Sequence, residues 1–493
     1  MPATSVPKSK DFMEWYNEVV EVAELTDKRY PIKGMNIWRP YGQRLMNAID
    51  GFTRAEMSRT HHDEVAFPLM IPEKLFMKEA DQIKGFGSEV FWVTHAGDNE
   101  LPDNERWVVR PTSECAMYEI FPLWIRAHTD LPLQTFQICN VFRYETKQTR
   151  AFMRVREIHF FEDHSVFATE KEARDHVELD LAIVKNVYDR LALPALYSKR
   201  PDWDKFPGAV DSTGADVVMP SGRTLQCATV HYYGTNFAKA YNMTYEAQGG
   251  GHEHCHQTTY GMSERLVGAV AGCHGDDGGL ILPPEIAPIQ VVVVPVLFKE
   301  GSEAVLAACK EVKERLERVV WRGRTLSVEL DGRNKSSGDK FYHWELRGVP
   351  LRLEVGPKDV EKKSVFAARR DMPGKAGKSP IPMSSLEEGV AMLLGEIQKA
   401  LFERQAVFAA TRVKHPKTFE EAQALDRDGQ ESGTGYILAM PICSDTCAAG
   451  VEKGLDIKTL GVPAGQDKAQ NVGGTCAVCG KAAKDTLRFA RTY

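Results

Sequence analysis

Apolar residues recur at helical spacing between Asp11 and Thr26 (Phe12, Trp15, Tyr16, Val19, Val20, Val22, Ala23), which predicts an amphipathic helix. A second helical stretch, Gly34 to Met57, leads into Glu64 to Ile71, read as a buried strand. Pro68 removes a ladder donor from that strand, so it is expected at an edge or an interface. From Glu89 to Phe167 strand patterns dominate: Val90–Thr94, Trp107–Arg110, Thr135–Cys139 and Phe152–Phe161. They continue through Thr224–His231 and Gly279–Leu282. Strands that outnumber the helices between them predict a large antiparallel sheet, not a doubly wound one. At Pro283-Pro284 the texture changes. Strands Gln290–Val296, Leu326–Leu330, Leu351–Val355 and Ser364–Ala368 now alternate with helices Glu303–Val319, Phe341–Leu346 and Glu387–Phe408, the pattern of a mixed-sheet α/β unit. Beyond Thr411 the chain is polar and Gly-rich. The expected fold is therefore α+β in three units, 1–284, 285–405 and 406–493.

A chain of 493 residues is too long for one core, in keeping with several domains. Its 62 Lys and Arg against 68 Asp and Glu leave a net charge of −6. A nucleic-acid partner would have to meet a local basic patch. There is no apolar run of the roughly 18 residues that a membrane span needs, and Met1 to Lys10 lacks a signal-peptide pattern. A cytoplasmic enzyme without membrane or DNA partners is expected.

The ten cysteines fall into two groups. Six are scattered singly and read as reduced, buried small hydrophobes. Cys443-x3-Cys447 and Cys476-x2-Cys479 offer four thiolates, which suit a structural tetrahedral zinc; two disulfides or an iron–sulfur cluster are the alternatives. Gly249 to His256 is also rich in histidine, but its glycines suggest a mobile loop without a metal role.

Chemistry concentrates around Arg143. Arg143 and Glu145 are two apart, so on a strand they would share a face, with Arg154 across a loop on the return strand. An arginine fork can hold an ATP α-phosphate and an amino-acid carboxylate together. Glu145 can accept from an adenine amino group, and Phe152 offers a ring for stacking. Taken alone, the spacing also fits a solvated hairpin with cross-strand ion pairs. Thr112 and Glu114, read as sharing a strand face, supply acceptors for the two N–H bonds of a secondary ammonium. Phe160 and His164 are candidates for an apolar slot beside them. Walker-type and Rossmann-type synthetase signatures are absent.

The run Phe142-Arg-Tyr-Glu145, Phe152-Met-Arg154 and Phe161-Glu-Asp-His164 resembles motif 2 of the class II aminoacyl-tRNA synthetases, and Arg110-Pro-Thr-Ser-Glu114 resembles their proline-specific branch. With the four-cysteine segment, the resemblance extends over nearly the whole chain, to the archaeal/eukaryote-like subtype. It implies a motif 1 homodimer interface around Pro68. Arg265, in Tyr260-Gly-Met-Ser-Glu-Arg265, resembles the motif 3 arginine, with Ser263 in the same ATP set. By the same resemblance Gln226 and Thr229 lie near ATP and its Mg2+, and His231 lies near the proline. Trp often stands at the position of Phe160 in this family. Glu345, Arg352, Arg369 and Arg370 resemble its anticodon-binding face, and the terminal Tyr493 is expected to fold back toward the catalytic unit. The implied activity is attachment of L-proline to tRNA(Pro) through prolyl-adenylate. Two other readings stay open: a catalytically inactive tRNA-binding paralogue, and the same fold charging threonine, serine, glycine or histidine.

Overall fold

The computed structural model describes residues 4–78, 89–102, 105–297 and 302–493, so three residues of the leading Met1–Lys10 segment lie outside it. Asp11 caps the first helix, Phe12–Val22, by accepting from Met13 N–H and Glu14 N–H. The second helix, Pro40–Arg59, starts later than its periodicity suggests. Proline at N1 disfavours helix in the residue before it, so the chain is extended up to Arg39.

The central element is an 11-stranded sheet. Its order is Val413–Lys414, Ile437–Ile442, Asp485–Ala490, Lys458–Pro463, Ala195–Lys199, Asp211–Val218, Thr224–Gly234, His256–Ser263, Glu157–Phe167, Leu133–Phe142 and Asp63–Glu64. All pairings are antiparallel except those of the two outermost strands. The expected antiparallel sheet is thus present, and it is larger than the first unit. Ser198 and Lys199 pair with Pro463 and Val462, so the C-terminal strands extend the first unit's sheet.

Strand alternation splits this sheet between two environments. Phe161, Val230, Tyr260 and Met262 face a core completed by the helices Phe12–Val22, Pro40–Arg59, Glu170–Arg190 and Arg265–His274. Fully buried aliphatic side chains such as Val184, Val187 and Val267 each contribute roughly 1.5–3 kcal/mol there. Their neighbours Phe160, Glu162, Thr229 and Gly261 face a cleft.

The Glu64–Ile71 strand does not form as one element. Asp63–Glu64 is a short edge pair against Thr135–Phe136, Pro68 is exposed, and Met70–Pro72 joins Phe91–Val93 around Trp107–Val109 in a separate small sheet. Thr112 and Glu114 share no strand face either. The strand ends at Val109, and Glu114 opens the helix Glu114–Trp124. Gly279–Leu282 contributes only the Asp276–Gly279 bridge.

The second unit holds a five-stranded mixed sheet, in the order Val328–Leu330, Val291–Pro295, Leu351–Val355, Ser364–Arg369 and Lys378–Pro382. The last strand carries two prolines and therefore lies at the edge. Its closing helix, Leu386–Arg412, runs unbroken across position 405 and links this unit to the C-terminal strands.

Arg488 closes the seam within the large sheet. It is fully buried, donates to Tyr197 O at 2.9 Å, and pairs with Asp467 at 2.9 Å. Arg488→Ala removes that carboxylate's counter-charge and leaves it Tyr197 N–H and Gln470 as donors, so urea unfolding should show a loss of about 3–5 kcal/mol. Lys171→Ala, which breaks an exposed i,i+4 pair, should stay within about 1 kcal/mol.

Candidate active site

A cleft of about 500 Å³ opens on the polar face of the large sheet. Of the residues proposed from sequence, Thr112, Glu114, Arg143, Glu145, Phe152, Arg154, Phe160, Gln226, Thr229, His231, Ser263 and Arg265 all line it. His164 does not. Its ring sits behind the wall, with Nδ1 2.9 Å from Tyr118 Oη and Nε2 3.3 Å from Glu162.

One end of the cleft is acidic and aromatic. Glu114 accepts from Thr112 Oγ1 and, at 2.9 Å, from Tyr233 Oη. Glu162, which the sequence reading left out of the site, accepts from Ser113 Oγ and from Gln137 Nε2 at 2.8 Å. Burial disfavours its charge, but the bond to His164 and these donors outweigh it and hold the carboxyl at about 2. Phe160 and Phe206 supply apolar surface. Gly261 is required opposite Phe160, because a Cβ there would lie 2.6 Å from the ring. His231 packs beside Phe206 at 5.1 Å between centroids, with Nδ1 2.7 Å from Ser212 Oγ. Burial, and then the charge of Arg200, depress its pKa to about 3, so the imidazole is neutral at pH 7. Phe206 comes from the turn-rich segment between Pro201 and Pro207, which carries no periodic signal.

The other end is cationic. The Leu133–Phe142 strand stops just before Arg143, so Arg143 and Glu145 occupy a turn instead of one strand face, with Glu145 N–H donating to Arg143 O at 2.8 Å. Arg143 Nε donates to Pro111 O at 3.1 Å. Burial lowers its pKa, and the nearby charge of Arg265 adds to the effect. Arg265 is anchored on two carbonyls, Met153 O at 2.9 Å and Gln226 O at 3.0 Å. Arg154 also precedes its expected strand, which begins at Glu157, and meets Glu145 at 3.3 Å. Phe152 adopts a φ of 59° and tucks against Trp38, with centroids 4.7 Å apart.

Gln226, Thr229 and His231 do share one side of their strand. The ladder skips Cys227, a bulge that absorbs the odd spacing, and Gln226 Nε2 donates to Thr229 Oγ1. Arg200, held by Asp216 at 2.8 Å, donates to Gln226 Oε1 at 3.1 Å. Arg200 was missed, since only tertiary pairing brings it to the cleft.

The four paired cysteines meet. Cys443 Sγ lies 3.7 Å from Cys447 Sγ and 3.4 Å from Cys479 Sγ, and candidate ligand atoms on all four lie within 4.8 Å of one another. A tetrahedron with Zn–S bonds of about 2.3 Å has edges of about 3.8 Å, so the sulfurs fit that metal. All four are free thiols, not disulfides. In contrast, the His252–His256 stretch forms a hairpin with Thr244–Glu246, and His256 turns to Tyr232 Oη at 3.0 Å.

A second cleft, of about 410 Å³, lies where the mixed-sheet unit meets the first. Glu345, Arg352, Arg369 and Arg370 all line it. Arg352 lies over the Phe341 ring and pairs with Glu345 at 2.7 Å, while Arg369 pairs with Asp371 and Glu396. Arg370 is buried and spends its guanidinium on Asp276 across the unit boundary.

Fold and cleft together define a class II aminoacyl-tRNA synthetase. Residues 91–274 match the tRNA synthetase class II core domain (G, H, P, S and T), and residues 290–391 match an anticodon binding domain. The chain is 50% identical over 488 residues to the proline–tRNA ligase of Pyrococcus abyssi, covering 98% of both, and 43% identical to that of Thermoplasma volcanium, covering 99% of both. It superimposes on the Giardia lamblia prolyl-tRNA synthetase in complex with prolyl-adenylate with a TM-score of 0.93. That alignment covers 99% of this chain and all of the other, at 34% identity. The chain belongs to the proline–tRNA ligase family.

Glu264, in the cleft wall, accepts from His159 N–H at 2.6 Å, yet burial raises its carboxyl from 4.5 to about 7. A raised carboxyl makes the folded state favour the proton, so its stability contribution is full below pH 4.5 and is lost as pH rises to about 7. Chemical denaturation across that window should therefore show wild type losing about 3 kcal/mol relative to Glu264→Gln.

Proposed function

We infer that this chain joins L-proline to tRNA(Pro) in two steps at the larger cleft. A proline carboxylate oxygen attacks the ATP α-phosphorus, the bond to pyrophosphate breaks, and prolyl-adenylate forms. A terminal ribose hydroxyl of the tRNA then attacks the prolyl carbonyl and AMP leaves. The observation that carries this reading is one cleft with an acidic, aromatic slot at one end and half-buried arginines at the other. Thr112 and Glu114 accept from the secondary ammonium, and Phe160, Phe206 and His231 enclose the ring. His164 acts from behind, by holding Glu162. Arg143 spans the carboxylate and the α-phosphate and stabilises charge as it develops. Arg154 and Arg265 hold the outer phosphates, Glu145 and Phe152 the adenine, and Ser263 sits beside Arg265. Gln226 and Thr229 lie where the ATP-bound Mg2+ is accommodated. No covalent enzyme intermediate is needed.

Glu345 and Arg352, with Arg369, are assigned to the anticodon, because arginine and carboxylate edges suit guanine. Arg370 instead fixes the mixed-sheet unit on Asp276. The four cysteines are assigned a structural zinc. Exposed Leu69 and Met70 beside Pro68, next to the sheet's outer edge strand, support a homodimer there. Among the described residues no helix is long and apolar enough to cross a membrane. None of the ten cysteines is in a disulfide, which is compatible with a cytoplasmic location.

Arg143→Ala should lower proline-dependent ATP–pyrophosphate exchange by roughly 100- to 1,000-fold. Near-normal exchange would remove Arg143 from the reaction.

Accuracy gives a second test. The stretch between Phe167 and Gln226 is taken up by the helix Glu170–Arg190 and strands Ala195–Lys199 and Asp211–Val218, which leaves no room for an editing insertion. An apolar slot discriminates each missing methylene by only about 1–3 kcal/mol. The enzyme should therefore activate alanine or cysteine detectably. It should also leave alanyl-tRNA(Pro) to decay at its spontaneous rate.

A further inference from the structure

On the face of strand Glu157–Phe167 that looks away from the cleft, four ionisable side chains converge in the core: His62, Asp163, His176 and Asp180. His62 follows the Pro40–Arg59 helix, and His176 and Asp180 sit one turn apart on Glu170–Arg190. All four are buried. The two imidazoles meet through Nε2 atoms 2.9 Å apart, and His62 Nε2 lies 3.5 Å from Asp163 Oδ1.

The second atom of each ring is held by a threonine. His62 Nδ1 lies 2.9 Å from Thr60 Oγ1, whose proton goes to Glu56 O, so this nitrogen carries hydrogen and Nε2 presents a lone pair. His176 Nδ1 lies 2.9 Å from Thr258 Oγ1. Hydroxyl or carbonyl partners on the outer nitrogen are what orient metal-ligating histidines.

The carboxylates are the less satisfied half. Asp163 Oδ2 and both oxygens of Asp180 are buried with no hydrogen-bond partner. Asp180 Oδ2 is 3.2 Å from His176 Nδ1 but is not aligned to accept from it. Buried carboxylates left bare are costly, and they either take up a proton or coordinate a cation. A proton shared between the two rings would satisfy the imidazoles and leave these oxygens as they are.

We propose that His62 Nε2, His176 Nε2, Asp163 and Asp180 form a second, structural metal site in this chain, with zinc as its ion. Two imidazoles and two carboxylates match the ligand preferences of Zn2+; with candidate ligand atoms already within 4.8 Å, the Nε2 pair would open from 2.9 Å and the wider pairs would close toward tetrahedral edges of about 3.3 Å. The ion would tie the end of one helix, a second helix and the strand that carries Phe160 and Glu162 on its other side.

The test is elemental analysis of tag-free, full-length protein, run beside cobalt substitution. Wild type should carry zinc beyond the single ion the four cysteines can hold. The double variant Cys443→Ser/Cys447→Ser should retain one equivalent whose cobalt form lacks thiolate charge-transfer bands. His176→Gln or Asp180→Asn should lose that equivalent while keeping the thiolate spectrum. If these variants do not fold, the wild-type stoichiometry and the weak oxygen/nitrogen-type cobalt bands decide. Wild type holding a single zinc with a purely thiolate spectrum, even after incubation with excess Zn2+, would overturn the proposal and leave a proton-sharing network in its place.

Discussion

The catalytic face depends on keeping opposite charges desolvated in one cleft without letting them neutralise each other. An arginine and a carboxylate brought out of water in the same space attract strongly, and a collapsed pair would have little left to offer a substrate. The fold prevents collapse by giving each charge its own partners. Glu162 is surrounded by Ser113, Gln137 and His164, and Glu114 by Thr112 and Tyr233. Arg265 is fixed by two backbone carbonyls, which orient it and leave its charge uncompensated. Burial lowers the pKa of both Arg143 and Arg265, and a neighbouring arginine adds to the effect in each case, Arg265 for the first and Arg154 for the second. Glu145 and Arg154 are the exception. Their 3.3 Å pair is partly exposed, so water screens it and it can open at little cost.

The same logic explains why the sheet extends so far beyond the catalytic unit. Gln226 is held by Arg200, Arg200 by Asp216 and by Leu460 O, and Leu460 belongs to a C-terminal strand. The C-terminal strands are therefore part of the wall that positions the cleft. The last residues add to this. Tyr493 N–H donates to Thr224 O at 3.1 Å and its hydroxyl meets Ser221 Oγ at 2.6 Å, at the turn that feeds the Gln226 strand. With Arg150 and Arg154 it also lines a small hollow next to the cationic end. The family likeness had suggested that this tyrosine folds back, and local sequence gave no sign of where.

What could be read from the chain follows the range of the interactions involved. Thr229 and His231 lie on one strand, so a period-two pattern places them together, whereas Gln226 reaches the same side only through the bulge at Cys227. Thr112 and Glu114 were misplaced because their segment leaves the sheet at Arg110. A strand that becomes a helix within four residues shows no periodicity of either kind. The Lys378–Pro382 strand was hidden by its own prolines, which mark an edge only once a sheet is known to exist. Phe206, Glu162 and Arg200 were missed for a different reason. Each lines the cleft through partners between about 25 and 260 residues away, and no short window along the sequence contains that information.

The two candidate metal centres put the contrast most sharply. Cys443 and Cys447 lie four residues apart and Cys476 and Cys479 three, and cysteine is rare enough that two such pairs stand out in a reduced chain. His62, Asp163, His176 and Asp180 offer only one local pair. Histidine and aspartate four apart on a helix are ordinary surface composition, so sequence alone gives no reason to single them out. Burial reverses that judgement. On a surface, water would complete every one of these atoms, whereas behind the sheet the three bare carboxylate oxygens have no solvent to turn to. The property that distinguishes the site is an unpaid desolvation cost, which exists only once the helices have closed over the strand.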